Sequence, residues 1–125
     1  MNDPNPIPTA NVPTITFTTS PPASQQIGAV TFALSADINH TPKYTLTVKR
    51  NGTAVAAPAT VQSGNAAIDT TAIDIPTTGT GGLVIASAYF TNLGAGNYTI
   101  TLTANDNPGL PGTGTASASF TLTAP

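Results

Sequence analysis

Any chemistry in this chain of 125 residues must come from very few side chains: one histidine, five aspartates, no glutamate, three cations and no cysteine. The histidine, His40, lies in "DINHTPK" (37–43), which has the composition of a loop. A nucleophile needs a base within hydrogen-bond reach, and one loop histidine does not make a triad. Asp3, Asp37, Asp69, Asp74 and Asp106 mostly sit beside turns, where aspartate tolerates unusual backbone angles and caps its own chain. Glycoside hydrolysis instead needs facing carboxylates about 5–10 Å apart. In "ANDNPG" (104–109), Asp106 could share a loop end with Asp37. Calcium takes roughly six to eight oxygens, usually several from carboxylates, and two aspartates are too few. "TGTGG" (78–82) has the glycines of a phosphate loop but no lysine and no following helix. Without cysteine there is no thiolate metal site and no disulfide. The expectation is a protein with no catalytic residues, no metal and no cofactor, and not an enzyme.

The charges exclude further classes. Only 6% of residues are charged, against about 25% in an average domain, and the net charge is −2. The cations cluster in "KYTLTVKR" as Lys43, Lys49 and Arg50, which reads as an ordinary solvated strand end and turn. Nucleic acid binding needs a broader basic footprint, so no nucleic acid partner is expected. No apolar run reaches the length of a membrane span, so no membrane partner is expected either. "MNDPNPIPTANVP" has neither the basic region nor the apolar region of a secretory signal. With Met1 as the natural start, the protein is expected to be made and kept in the cytoplasm. At 39% hydrophobic residues and low net charge, the composition lies on the folded side of the disorder boundary. The sequons at Asn39, Asn51 and Asn97 matter only in a secreted eukaryotic product.

The elements that could position a site are strands. Residues 1–12 read as an extended arm, with Pro4, Pro6 and Pro8 around Ile7 holding it polyproline-like, and residues 13–125 as one domain. At ~3.1 Å per residue the arm reaches on the order of 30–40 Å. Alternating runs then recur between turn signals. "TITFTT" (14–19) puts Ile15 and Phe17 on one side, and "IGAVTFALSA" (27–36) turns Val30, Phe32 and Leu34 inward. "KYTLTVKR" turns Tyr44, Leu46 and Val48 inward, and the Asn51-Gly52 dipeptide marks a hairpin into "AVAAP". "AAIDTTAIDI" (66–75) is weaker, with Ile68, Ile73 and Ile75. "GLVIASAYFTNL" (82–93) reads as a strand with Val84, Ala86, Ala88 and Phe90 inward. "NYTITLTAND" turns Tyr98, Ile100, Leu102 and Ala104 inward, and "TASASFTLTA" (115–124) does so with Ala116, Ala118, Phe120 and Leu122. Seven to nine strands and no helical window predict an all-β antiparallel sandwich.

The stretch "FTNLGAGNYTITLTANDNPGLPGTGTASASFTLT" resembles the last three strands of bacterial and phage immunoglobulin-like (Ig-like) domains, where a Leu-x-x-Gly-x-Tyr run opens strand F. Leu93, Gly96 and Tyr98 match that run. "ITFTTSPPASQQIGAVTFALSA" is similar to strand A, a crossover and strand B of the same family, and the likeness covers about residues 13–124. The cysteine pair and tryptophan of antibody domains are absent, with Tyr44 and Leu46 where the strand C aromatic lies. The resemblance implies an Ig-like β-sandwich in which Tyr98 buries its ring and hydrogen-bonds upstream backbone as a tyrosine corner. It says little about function, because this fold hosts many activities.

In that topology strands C, F and G share a sheet. Their outward residues are Thr45, Thr47 and Lys49, then Thr99, Thr101 and Thr103, then Ser117, Ser119, Thr121 and Thr123. Cross-strand threonine pairs support a sheet by ~0.2–1 kcal/mol each. A nearly uncharged β surface also invites contact with another protein or a glycan. A match to an ice lattice is spoiled by sheet twist. The leading expectation is a virion structural protein, a capsid decoration or cement protein or an accessory tail protein. It would bind neighbouring shell subunits through this face and the arm (Pro4, Pro6, Ile7, Pro8), as a homo-oligomer, trimers being a common form. The alternative is an adhesion, carbohydrate-binding or spacer module on a bacterial cell surface.

Overall fold

Alternation of apolar and hydroxyl residues sorts this chain into two sheets. The computed structural model describes residues 15–36, 43–74, 81–104 and 114–125. Among them are eleven strands and one short helix: β1 Ile15–Thr19, β2 Ser24–Gln26, β3 Val30–Ala36, β4 Lys43–Arg50, β5 Thr53–Val55, β6 Thr60–Ser63, β7 Ala66–Asp69, β8 Ile73–Asp74, β9 Gly81–Ile85, α1 Ser87–Leu93, β10 Gly96–Ala104 and β11 Thr115–Thr123. One sheet runs β1-β3-β9-β6-β7. The other runs β2-β11-β10-β4-β5, with β8 also pairing β4. Pairing is antiparallel except between β2 and β11. Thus β1, β3, β9 and β6 take the A-B-E-D places of an Ig sheet, and β4, β10 and β11 the C-F-G places of its partner. The chain is an Ig-like antiparallel β-sandwich.

The inner faces follow the period-2 pattern. Val30, Phe32 and Leu34 on β3 are buried, as are Tyr44, Leu46 and Val48 on β4 and Tyr98, Ile100 and Leu102 on β10. Phe120 and Leu122 are buried on β11, where Ala116 and Ala118 pack at the margin of the same core. Each large side chain removed from water contributes roughly 1.5–3 kcal/mol. On β1, Ile15 is buried and Phe17 half-buried, its ring centroid 5.9 Å from that of Phe32. The hairpin at Asn51-Gly52 forms as expected: the two residues have φ of 53° and 82°, the positive values a tight two-residue turn requires.

Three expectations are corrected. β2 lies inside "SPPASQQIG", which carries turn residues, and β6 buries only Val61; neither shows an alternating run. The weak segment 66–75 is two short strands, with Ile68 half-buried on β7 and Ile73 fully buried on β8; Ile75 lies outside the described residues.

The third correction is the largest. Residues 82–93 are not one strand, and there is a helix. In β9 the inward residues are Leu83 and Ile85, with Val84 half-buried, and the chain then coils into α1. Tyr89, Phe90 and Leu93 share one side of that helix and meet the core, while Ala86 and Ala88 are exposed. Gly94 ends the helix with φ 94°, its N–H donating to the Phe90 carbonyl at 2.8 Å. A glycine there escapes the Cβ penalty of positive φ. Sandwich crossovers must carry the chain from one sheet to the other. Two turns of helix do so while filling the end of the core with Phe90.

Candidate interaction face

The outer face of β4, β10 and β11 is built in rows. Register places Thr47 opposite Thr101 and Thr101 opposite Ser117. The rows on either side are Thr45–Thr103–Thr115 and Lys49–Thr99–Ser119. Asn97 and Thr121 form the next pair. The alternate residues Tyr44, Leu46, Val48, Tyr98, Ile100, Leu102, Phe120 and Leu122 are buried, so the pleat itself holds the hydroxyls outward. Thr45, Thr47, Thr99, Thr101, Thr103, Thr121 and Thr123 therefore share one surface.

Many of these hydroxyls are already used. The Thr101 and Ser117 oxygens lie 2.8 Å apart and those of Thr99 and Ser119 3.0 Å apart. Thr47 donates to the Thr101 carbonyl at 3.4 Å, and Thr121 to Asn97 Oδ1 at 2.8 Å. Thr45 and Thr123 donate to the carbonyls of Thr71 and Gln25, both at 3.4 Å. A hydroxyl paired across strands has less capacity left for water. The face is therefore less hydrophilic than a count of its oxygens suggests. Lys43 and Lys49, both exposed, stand on β4 at two ends of the threonine row.

Arg50 departs from the expected solvated strand end. It is half-buried, and its Nη2 donates to the Ala95 carbonyl at 2.6 Å. Its Nε is buried without a hydrogen-bond partner. Arg50 thus clamps the turn between α1 and β10. Gly96 is part of that clamp: a Cβ there would sit 3.1 Å from Asn51 Oδ1 and 3.2 Å from Arg50 Nε.

Tyr98 sits below the clamp, fully buried, and its hydroxyl donates to the Gly94 carbonyl at 2.5 Å. Its ring stacks on Phe120 at 5.7 Å and meets the Phe90 edge at 5.1 Å. Burial raises the Tyr98 hydroxyl pKa, and the Arg50 charge and hydrogen bond partly offset this. Leu93 packs against the core beside it. Asn51 adds a second tie: its N–H donates to the Asn97 carbonyl at 2.6 Å, and its Oδ1 accepts from the Asn97 N–H at 2.9 Å. Leu93, Gly96 and Tyr98 are thus brought together, with Arg50 and Asn51 joining them. The Arg50 and Asn51 contributions had no signal in sequence beyond adjacency to a hairpin.

Two other tyrosines also place hydroxyls in or beside the core. Tyr89 donates to the Ala56 carbonyl at 2.5 Å, and burial, with Tyr98 nearby, pushes its pKa up to about 12. The Tyr44 hydroxyl is buried without a partner, and burial raises its pKa. Asp69 behaves as a turn cap: its Oδ1 accepts from the Thr71 N–H at 2.9 Å and the Thr71 hydroxyl at 2.7 Å, which lowers its pKa. His40, Asp3, Asp37, Asp106, the arm residues Pro4, Pro6, Ile7 and Pro8, and the Asp74 side chain lie outside the described residues. Among the described residues no cluster of metal-ligating side chains, no pocket and no helix long and apolar enough to cross a membrane is found.

No family model matches this chain, and no curated protein matches it. Similar solved structures include the titin M3 domain, at 16% identity over 88% of this chain and 95% of that one, with a TM-score of 0.42. Titin M4 in a trigonal form is similar at 15% identity over 89% and 95%, TM-score 0.40. A chain of the complex of titin M10 with the obscurin-like 1 Ig domain is similar at 18% over 90% and 94%, TM-score 0.43. The fold assignment rests on the strand order and register described above.

Proposed function

We propose that this chain is a non-enzymatic structural protein that docks on another protein through the hydroxyl face of β4, β10 and β11. One observation carries the reading: the threonines and serines of three adjacent strands fall in register on one surface, and most of their hydroxyls are bonded to one another, to backbone carbonyls or to Asn97. Such a face has little to lose on leaving water. An isolated domain would ordinarily carry interspersed charge there.

Within that reading we favour a virion role. The protein is a capsid decoration or cement protein, or an accessory tail protein, that stabilises neighbouring shell subunits as a homo-oligomer such as a trimer. The low charge and the proline-rich arm support it. Many modest contacts in a symmetric oligomer multiply into strong attachment. A module on a bacterial cell surface is the alternative. Its adhesive form gains support from the face too, but a glycan ligand gains less. All seven aromatics, Phe17, Phe32, Tyr44, Tyr89, Phe90, Tyr98 and Phe120, are buried or half-buried, so no exposed ring offers a platform for a sugar.

The test is sedimentation of lysate from the source, with mass-spectrometric counting of this chain per particle. Many copies moving with capsids support decoration, and a few per particle support the tail. Absence from particles and recovery in a cell-wall fraction would overturn the virion role. Attachment that survives Thr101→Glu and Thr47→Glu together would overturn the face.

A further inference from the structure

Among the described residues, β7 ends its sheet with nothing paired on its outer side. Edge strands are normally guarded by proline, lysine, bulges or very short length. β1, at the far edge, has a register shift between Phe17 and Thr19. β2 is three residues long and follows Pro21 and Pro22; β5 is three residues long and is followed by Pro58. β7 has four residues, regular register with β6, and no proline or lysine from 60 to 74. The two-residue Gly64-Asn65 turn makes Ser63 and Ala66 the first hydrogen-bonded pair. Ala66 and Ile68 then bond inward to β6, and the backbone groups of Ala67 point out, with the Asp69 N–H beside them.

The amino-terminal sequence "PNPIPT" (4–9) is the complement of such an edge. In a strand, the N–H and C=O of alternate residues point to the same side. Prolines at 4, 6 and 8 remove every donor on one side and leave Asn5, Ile7 and Thr9 complete on the other. Residues before proline are also held extended. A strand of this kind can add to an edge and cannot be added to.

We propose that residues 4–9 of one copy pair as a one-sided β-strand with the outer edge of β7 in a second copy, Ile7 lying opposite Ala67. The pairing must be between copies. A strand outside β7 lies five strand spacings, about 24 Å, from β1. Register also sets Ala67 level with Thr31, five residues along β3 from Ala36, the partner of Ile15, which brings the separation to about 29 Å. The chain from Ile7 to Ile15 reaches only about 26–29 Å at full extension, and it would have to pass around the sheet. This inference rests on the reading of the chain as an assembling structural protein, and it names the joint that assembly uses. Head-to-tail joints of this type close into rings when the rotation allows.

Sedimentation velocity of the full chain over a concentration series tests it. Self-association is expected, with return to the monomer's sedimentation coefficient in Ile7→Pro and in Ala67→Pro. Ala67→Pro removes an N–H that points away from β6, and an extended edge position tolerates the fixed φ of proline, so its thermal midpoint should stay near that of the parent. Ala10→Pro, whose N–H lies on the proline side, should associate as the parent does. A chain monomeric at every concentration, association unchanged by Ala67→Pro, or Ala10→Pro as damaging as Ile7→Pro would each overturn the pairing. Association lost in Thr101→Glu and kept in Ala67→Pro would overturn this joint and leave the docking face standing.

Discussion

β10 and the segment before it, β9 with α1, are neighbours in the chain and opposites in construction. β10 has one rule: odd positions outward, even positions inward, from Gly96 to Leu102. Its hydrogen bonds are with β4 and β11 and its register holds along the whole ladder. In β9 and α1 the rule changes within thirteen residues, from period 2 to period 3.6, and one side chain, Phe90, anchors the change. A regular strand distributes its stability over many equivalent pairs. A crossover concentrates it in a few residues with no equivalents. Mutations should therefore be costly in the crossover and mild on the face of β10.

The sharpest way to break that contrast is Phe90→Ala. Phe90 is fully buried and has edge contacts with Tyr89, Tyr98 and Phe120. The variant should lose about 3–5 kcal/mol in denaturant unfolding, from the missing ring and the cavity left at the end of the sandwich. A loss near 1 kcal/mol would mean that α1 is not the anchor.

The next effect is smaller and tests the clamp. Tyr98→Phe keeps the ring packing and removes only the hydroxyl that bonds Gly94. About 1–3 kcal/mol should be lost, because a half-buried carbonyl is left without its donor. Arg50→Ala should show coupling to it in a double-mutant cycle, since Arg50 and Tyr98 hold the same turn.

The same contrast explains what could be read in the sequence. Strands with strict alternation were legible residue by residue, from Val30, Phe32 and Leu34 through Phe120 and Leu122. Their burial follows from a period that only one structure satisfies. The Ig-like order was legible for the same reason. The crossover was not, because Val84, Ala86, Ala88 and Phe90 also alternate, and the helix face of Tyr89, Phe90 and Leu93 is too short to stand out. β2 and β6 escaped because a strand of three or four residues that buries at most one of them leaves no pattern. On the candidate site, parity placed the threonines on one face. Parity does not reveal whether hydroxyls pair with one another or with water, since that depends on rotamers across strands. Nor did it reveal the Arg50 clamp, which is a contact between a hairpin and a turn 45 residues further along.

Alkaline pH should weaken the core. Tyr89 and Tyr98 both have hydroxyl pKa values raised above the ordinary 10, Tyr89 to about 12. The folded state thus holds its tyrosine protons more tightly than the unfolded state does. Below pH 10 their contribution is complete. As pH rises from 10 toward 12 the unfolded chain loses protons first, and stability falls. Unfolding midpoints measured across that window should drop, while absorbance at the phenolate band stays low until the chain unfolds. Early ionisation of all three tyrosines in a folded chain would contradict their burial.

The smallest expected change in stability is on the face itself. Thr101→Glu replaces a half-buried hydroxyl that pairs with Ser117. The cost should stay within about 1 kcal/mol, the scale of one cross-strand pair, because nothing behind the residue moves. The carboxylate would, however, stand in the middle of the hydroxyl rows, where any docked surface must desolvate it. Folding and docking should therefore separate: near-parental unfolding, with loss of particle attachment. If the variant instead unfolds early, the threonine rows belong to the stability of the sheet, and the difference between β10 and the crossover is one of degree. If it folds and still attaches, the contact surface lies elsewhere on the sandwich, and the rows of hydroxyls reflect strand pairing alone.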